Sequence, residues 1–291
     1  MASEVLVRPL LPADVADAAA VGWAALSPLW PDASRPADDE VRVARSRARV
    51  AHLQRTDPGG AWVAKRDGRI IGLALALVRD GVWGLSLFGV VPEEHGNGVG
   101  TQLFAPALAY GHGTRGGIIL SSEHPAAMRR YALAGFRLRP SVSLHGVLDR
   151  RGLPSGLVSR EGSLEDEADL ATCDTASRFV RGASHRADLR ACLDAGGELL
   201  VHPGRGFALH REGAPFLLAA TDEEAATDLL WSCFAAAPTG GSVGVDFITA
   251  GNDWAITAGL RARLALSPDG PVCVRGDVGP MAPYLPSGAY L

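Results

Sequence analysis

The sequence has a single lysine, Lys65, no C-x-x-C pair, and no apolar run approaching the roughly 20 residues of a membrane span. Each absence excludes a class of protein. No membrane partner is expected. The N-terminus, with Glu4 and Arg8 inside a short strand-like run, lacks the charged and apolar regions of a secretory signal, so the expected location is cytoplasmic. Cys173, Cys192, Cys233 and Cys273 all fall in the second half, and no histidine stands at a metal-finger spacing from them. They read as buried free thiols, and no metal is expected. With 28 Lys and Arg against 32 Asp and Glu, the net charge of −4 offers no general attraction for nucleic acid, and no nucleic-acid partner is expected. The shortage of lysine beside many arginines and alanines suits a GC-rich bacterial genome.

What is present is enough apolar residue to build a large core. The 291 residues, 47% of them hydrophobic, suggest two domains of average size. Val5 to Pro9 reads as a short strand, and Pro12-Ala-Asp14 opens an alanine-rich helix to about Leu26. Ser27 to Pro36, with three prolines, reads as a loop, and a basic helix follows from about Asp38 to Gln54. Its arginines 42, 45, 47 and 49 read as a solvated face. Ala61 to Arg66, Arg69 to Arg79 and Val82 to Val91 read as three strands joined by Asp67-Gly68 and Asp80-Gly81, which gives two hairpins. Val99 to about Tyr110 reads as a helix with Pro106 inside it, and Gly111-His-Gly113 ends it. Gly117 to Leu120 is a strand, Pro125 to Ala134 a helix stopped by Gly135, and Phe136 to Leu148 a final strand or pair of strands. Strands alternating with helices, with hairpins in the middle, give an α/β domain with a mixed sheet.

The chain then repeats itself. Asp14-Val-Ala-Asp-Ala-Ala-Ala-Val21 resembles Asp166-Glu-Ala-Asp-Leu-Ala-Thr-Cys173, and Trp62-Val-Ala-Lys-Arg-Asp-Gly68 resembles Phe207-Ala-Leu-His-Arg-Glu-Gly213, in the same order. Two copies of one fold are expected, 1–150 and 155–291, with the boundary where Arg, Gly, Pro and Ser cluster at Asp149 to Ser155. In the second copy Pro215 to Ala220 leads straight into a helix from Asp222 to about Ala236, so a hairpin is expected to be missing. That helix opens Thr221-Asp-Glu-Glu224, whose carboxylates repel a phosphate.

The chemistry concentrates in one stretch. Leu85 to Val91 is a nearly continuous apolar run stopped by Pro92, and a helical pattern starts at Val99. Between them, Gly96, Gly98 and Gly100 let successive backbone N–H groups point into one concavity at the positive end of a helix dipole, which suits an anion such as a phosphate. It is not a Rossmann fingerprint, because Thr101 stands where the third glycine is needed, and it lacks the lysine of a P-loop.

These residues resemble the GNAT superfamily of acyl-CoA-dependent N-acetyltransferases. The family's central motif, Val-x-Pro-x-x-(Arg or Gln)-Gly-x-Gly-x-(Gly or Ala), matches Val90-Val-Pro-Glu-Glu-His-Gly-Asn-Gly-Val-Gly100, with His95 at the Arg/Gln position. A later motif matches Ala127-Met-Arg-Arg-Tyr-Ala-Leu-Ala-Gly-Phe136. The resemblance covers the first half. It implies two GNAT-like domains, each a mixed, mainly antiparallel central sheet flanked by helices (α/β, or α+β), the second one degenerate.

The resemblance also implies roles. Acetyl-CoA is the implied acyl donor, and a small-molecule or peptide amine the acceptor, with direct transfer in a ternary complex. The strand end Gly89, Val90 and Val91 is implied to hold the pantetheine arm and the acetyl carbonyl. The turn from His95 through Gly96, Asn97, Gly98, Val99, Gly100 and Thr101 is implied to cradle the pyrophosphate. Tyr131 matches the tyrosine that in many members gives a hydrogen bond or proton to the departing thiolate. His95 donates one N–H where a guanidinium donates several, which bears on affinity more than on identity. No general base stands out; Glu93, Glu94, Glu123 and His124 read as surface residues, and His112 as a helix-end cap. In tandem members the chain's C-terminal carboxylate can reach the active centre, and the tail Met281 to Leu291 is expected to dock between the domains or to pack as an edge strand. The alternative reading is a non-catalytic acyl-CoA-binding or sensor protein with a decayed site. A monomer or homodimer is expected.

Overall fold

The computed structural model describes residues 4–29 and 39–291. The chain divides into two compact units: residues up to Val78 with Trp83–Thr114, and Arg79–Val82 with Arg115–Leu291.

The first unit runs β1 (Leu6–Pro9), α1 (Val15–Leu26), α2 (Glu40–Thr56), β2 (Ala61–Arg66), β3 (Arg69–Arg79), β4 (Val82–Val90) and α3 (Val99–Ala109). Its strands lie in the order β1-β2-β3-β4, with β1 antiparallel to β2 and β2 to β3. Both expected hairpins are present. Asp67 and Gly68 (φ 49° and 77°), and Asp80 and Gly81 (φ 45° and 75°), take the left-handed conformation that two-residue turns need to match strand twist. Every residue of β3 from Ile70 to Leu77 is buried, as in a strand covered on both faces. Ser27–Leu29 forms a 3-10 turn; the remainder of the expected loop to Pro36, and Asp38, lie outside the described residues. Asp39 caps α2 by accepting from the Arg42 N–H at 2.8 Å.

Two polar contacts hold this unit together. Arg8 of β1 grips Asp14 with both terminal nitrogens, at 2.6 and 2.8 Å, just before α1. Asp57, 1% exposed, accepts from the Val78 N–H (3.0 Å), the Tyr110 hydroxyl (3.1 Å) and the Thr56 hydroxyl (2.7 Å). It therefore ties the end of α2 to β3 and to the end of α3.

The second unit runs β5 (Gly116–Leu120), α4 (Pro125–Leu133), β6 (Arg137–Val147), β7 (Arg160–Glu161), α5 (Glu167–Arg181), α6 (Arg186–Asp194), β8 (Glu198–His202), β9 (Gly206–Arg211), β10 (Ala214–Ala220), α7 (Glu223–Ala236), β11 (Ser242–Thr249), α8 (Asp253–Arg261), β12 (Ala265–Gly276) and β13 (Tyr284–Leu285). Here β12 pairs with β5 on one side and β6 on the other, and β11 pairs with β6. A separate sheet has the order β13-β10-β9-β8-β7. Strands from either side of residue 150 thus share one sheet, while residues 149–155 separate two stretches of similar sequence. A core of Leu229, Leu230, Phe234, Val245, Trp254 and Leu264 packs around α7.

The repeat has structural counterparts. The β9–β10 turn, Glu212 and Gly213 (φ 47° and 84°), copies the one after β2. Arg160 of β7 grips Asp169 of α5 at 3.0 and 2.6 Å, a pair like Arg8–Asp14 in kind but not in position, since Asp169 matches Asp17 in the repeat. β10 leads directly into α7, but the expected loss of a hairpin is not seen: β8, β9 and β10 pair antiparallel in order, giving two hairpins before that helix. The four cysteines are buried and free. Burial pushes the thiols of Cys173, Cys192 and Cys273 up to about 12, so they stay protonated at neutral pH. No described helix is long and apolar enough to cross a membrane.

The tail packs within the second unit. β13 pairs with β10, and Leu291 is 1% exposed. Arg181, fully buried, donates to Tyr290 O (2.8 Å), Leu291 O (2.6 Å), Ala183 O (2.9 Å) and Ser184 O (2.6 Å). Burial, with Arg181 beside it, holds His185 well below the usual imidazole range, so it is neutral between Ser177 and Leu291 O.

Candidate functional site

The ten residues expected to bind the acyl donor, three at a strand end and seven at a turn, lie on one stretch of the first unit. β4 ends at Val90, and Pro92–Glu94 makes a single 3-10 turn. The Glu94 and His95 N–H groups fold back on Val91 O (3.0 Å) and Pro92 O (3.1 Å). Gly96 (φ 83°) and Gly98 (φ 76°) then take left-handed backbone that a side chain resists, and Gly98 is the N-cap of α3. A Cβ built on either glycine meets no protein atom within 4 Å, so both face open space.

Accounting for each N–H sharpens the expected cradle. Thr101 and Gln102 donate to Gly98 O (3.0 and 3.2 Å), and Asn97 donates to Glu94 O (3.4 Å). The N–H groups of Gly96, Gly98, Val99 and Gly100 make no backbone hydrogen bond among the described residues. Four donors therefore gather at the positive end of α3, whose first turn carries no acid. Val99, 1% exposed, buries its side chain beneath them and fixes the start of the helix. α3 continues through Pro106 to Ala109.

His95 does not point its ring away from the strand. Its Nε2 lies 2.9 Å from Val90 O, and since a carbonyl only accepts, Nε2 carries the proton. The ring staples the turn to the strand end. At that end Val91 has both backbone groups engaged, its N–H on Ile71 O (2.9 Å) and its C=O receiving the Glu94 N–H.

Sequence reading missed what holds the turn from behind. Arg66 of β2 donates to both oxygens of Glu94 at 2.7 and 2.5 Å, and Asn97 donates to Glu94 Oε2 at 3.1 Å. Arg66 Nε is buried without a partner among the described residues. The signal was available: an acid pair, Glu93-Glu94, next to an anion site requires a cation nearby, and β2 ends in Lys65-Arg66.

Tyr131 belongs to the second unit. It lies on α4, whose start is set by Pro125 at the first position and by His124, which accepts the Ala126 N–H at 3.3 Å. His124 is thus a helix cap. Tyr131 is 4% exposed, and its burial, with Cys273 nearby, pushes the phenol above its usual 10. Such a phenol stays protonated across the neutral range and is a hydrogen-bond donor throughout.

Residues 23–136 match the model of the acetyltransferase (GNAT) family. A search of curated proteins finds no match. Among solved structures, a candidate acetyltransferase from Pyrococcus horikoshii is 16% identical with a TM-score of 0.78, the alignment covering 99% of this chain and 96% of that one. A GCN5-related N-acetyltransferase from Sphaerobacter thermophilus is 14% identical with a TM-score of 0.59, covering 94% and 95%. Eis1 from Mycobacterium abscessus is 17% identical with a TM-score of 0.54, covering 93% and 73%. At these identities the likeness is one of fold, and it extends the mixed α/β, mainly antiparallel architecture over the whole chain.

Proposed function

Residues 23–136 belong to the acetyltransferase (GNAT) family, and from that premise we propose that the chain moves an acetyl group from acetyl-CoA to an amine of a small-molecule or peptide acceptor. The observation that carries this reading is the group of four unpartnered N–H donors, Gly96, Gly98, Val99 and Gly100, at an acid-free helix start. A pyrophosphate has the charge and the acceptor oxygens to fill it. The strand end Gly89, Val90 and Val91 guides the pantetheine arm in this reading, and His95 and Thr101 flank the phosphates.

The reaction is direct. A neutral amine attacks the thioester carbonyl, the C–N bond forms, the C–S bond breaks, and the thiolate needs a proton. Tyr131 donates a hydrogen bond to the thiolate. Burial keeps the phenol protonated but makes it a weaker acid than an ordinary tyrosine, so the proton the amine loses reaches the thiolate through water, without a dedicated base. Residues 1–150 carry the donor site, and 155–291 are a second copy without one.

The test is release of free CoA from acetyl-CoA with a panel of amines, beside direct binding of acetyl-CoA. Turnover with at least one amine is expected, and Tyr131→Phe lowers kcat about a hundredfold. An unchanged rate at saturating amine removes Tyr131 from the mechanism. Binding with no turnover on any amine replaces the transferase reading with a non-catalytic acyl-CoA-binding protein. No binding at all overturns both.

A further inference from the structure

The second unit carries a hollow lined by none of the residues assigned to acetyl transfer. α7, α8 and the chain near Leu157 border two adjoining cavities of about 360 and 490 Å³, which share Glu223, Thr227, Trp231 and Arg261. Volumes in this range suit a small metabolite. The floor is aromatic: Trp231 and Trp254 are 4% and 7% exposed, Trp254 lining the first cavity and Trp231 both. The indole N–H of Trp254 donates to Asn252 Oδ1 at 3.3 Å. That of Trp231 has no hydrogen-bond partner among the described residues, yet it is not sealed from solvent.

The charges around the floor sort into committed and uncommitted groups. Glu224 pairs with Arg205 at 2.8 Å. Asp228 accepts from the backbone of Val158 and Ser159 and from the Ser159 hydroxyl. Glu223, Asp253 and Arg261 are exposed and enter no ion pair among the described residues. Helix dipoles account for acids in the first turns of α7 and α8. They do not account for an arginine and two indoles at the same hollow.

We propose that this groove binds a free basic α-amino acid of the arginine or lysine class. Two carboxylates and one guanidinium leave a net charge of −1, which a ligand with two cationic groups and one carboxylate neutralises group by group. The α-carboxylate pairs with Arg261 and takes the Trp231 N–H. The two cationic groups face Glu223 and Asp253. The methylene stem lies on the indoles, where a cation–π contribution adds to apolar contact.

Isothermal titration of the full chain without acetyl-CoA tests this, using arginine, lysine, agmatine, which lacks the carboxylate, and norleucine, which lacks the side-chain cation. Arginine and lysine bind, and agmatine and norleucine bind about tenfold more weakly, the effect of one exposed charge-assisted contact. Arg261→Gln lowers arginine to the level of agmatine and leaves agmatine unchanged. Glu223→Gln with Asp253→Asn removes the preference for arginine over norleucine. Thermal melts of each variant establish that it folds. No heat with arginine or lysine at millimolar concentration, equal binding of arginine and agmatine, or indifference to Arg261→Gln overturns the proposal. Because no acyl donor is present, the outcome is independent of the acetyltransferase reading.

Discussion

Gly98→Ala separates what the turn needs for folding from what it needs for its ligand. Gly98 sits at φ 76°, and a Cβ there meets no protein atom within 4 Å. Steric overlap with the protein therefore contributes nothing, and the folded state bears only the cost of left-handed backbone, about 1–2 kcal/mol for an L-residue. Alanine also restricts the unfolded chain, which returns about 0.4–1 kcal/mol. The net loss is on the order of 1 kcal/mol, a fall in Tm of about 2–4 °C for a chain of this size. The effect on acetyl-CoA is larger, because the new methyl occupies the space through which phosphate oxygens reach four N–H groups. A weakening of at least about tenfold, or ~1.4 kcal/mol, is expected by titration calorimetry. Gly98→Asn is the control. Asparagine tolerates left-handed backbone, so most of the stability returns while the side chain still fills the space. If Gly98→Ala and Gly96→Ala both melt slightly lower but bind acetyl-CoA like the wild type, the turn is not the phosphate site.

The other expectations concern the supports of the first unit. Arg66→Met leaves Glu94 without its guanidinium partner beside the anion site, and acetyl-CoA affinity falls about tenfold with little change in Tm; an unchanged Kd refutes the backing role. Asp57→Ala strands the Val78 N–H and the Tyr110 hydroxyl inside the unit, and urea unfolding registers a loss of about 2–3 kcal/mol, most of it absent in Asp57→Asn. Arg8 beside Asp14 holds that carboxyl at about 2, below its ordinary 3.8. A depressed carboxyl stabilises the fold above its unfolded pKa and stops doing so as pH falls through the folded one. Wild type should therefore lose on the order of 2 kcal/mol relative to Asp14→Asn between pH 5 and pH 2, and parallel acid titrations of the two proteins contradict this.

The hairpins and the site were legible in the sequence for a common reason: both depend on local backbone demands that few residue types meet. Asp67-Gly68 and Asp80-Gly81 were readable because adjacent positive φ angles select that dipeptide, and Gly96 and Gly98 because the turn needs the same freedom. The helix after Pro125 was equally local. What escaped were pairings between residues far apart in the chain. That β12 lies between β5 and β6 depends on register across more than a hundred residues, and nothing in Ala265 to Gly276 announces its neighbours. The grip of Arg66 on Glu94 bridges 28 residues, and that of Arg181 on Tyr290 and Leu291 about four times as many. Composition marks such arginines only as charged, and burial makes them structural.

α3 and α7 show how a helix start is kept open or closed. α3 and α7 both follow a strand and both present unpaired N–H groups at a positive dipole end. At α7 the chain answers them itself: Asp222 caps the helix by accepting the Ala225 N–H at 3.0 Å, Glu223 and Glu224 occupy the first turn, and Arg205 neutralises Asp222 and Glu224. That helix end is satisfied by its own side chains. At α3 the cap is a glycine, the first turn has no acid, and Glu94 of the preceding turn is held by Arg66. Capping by aspartate is worth about 1 kcal/mol, and α3 forgoes it. A helix start left uncapped by its own chain, with Gly96 and Gly98 free of neighbouring atoms and Glu94 tied back, has the electrostatics of a site that an external anion completes.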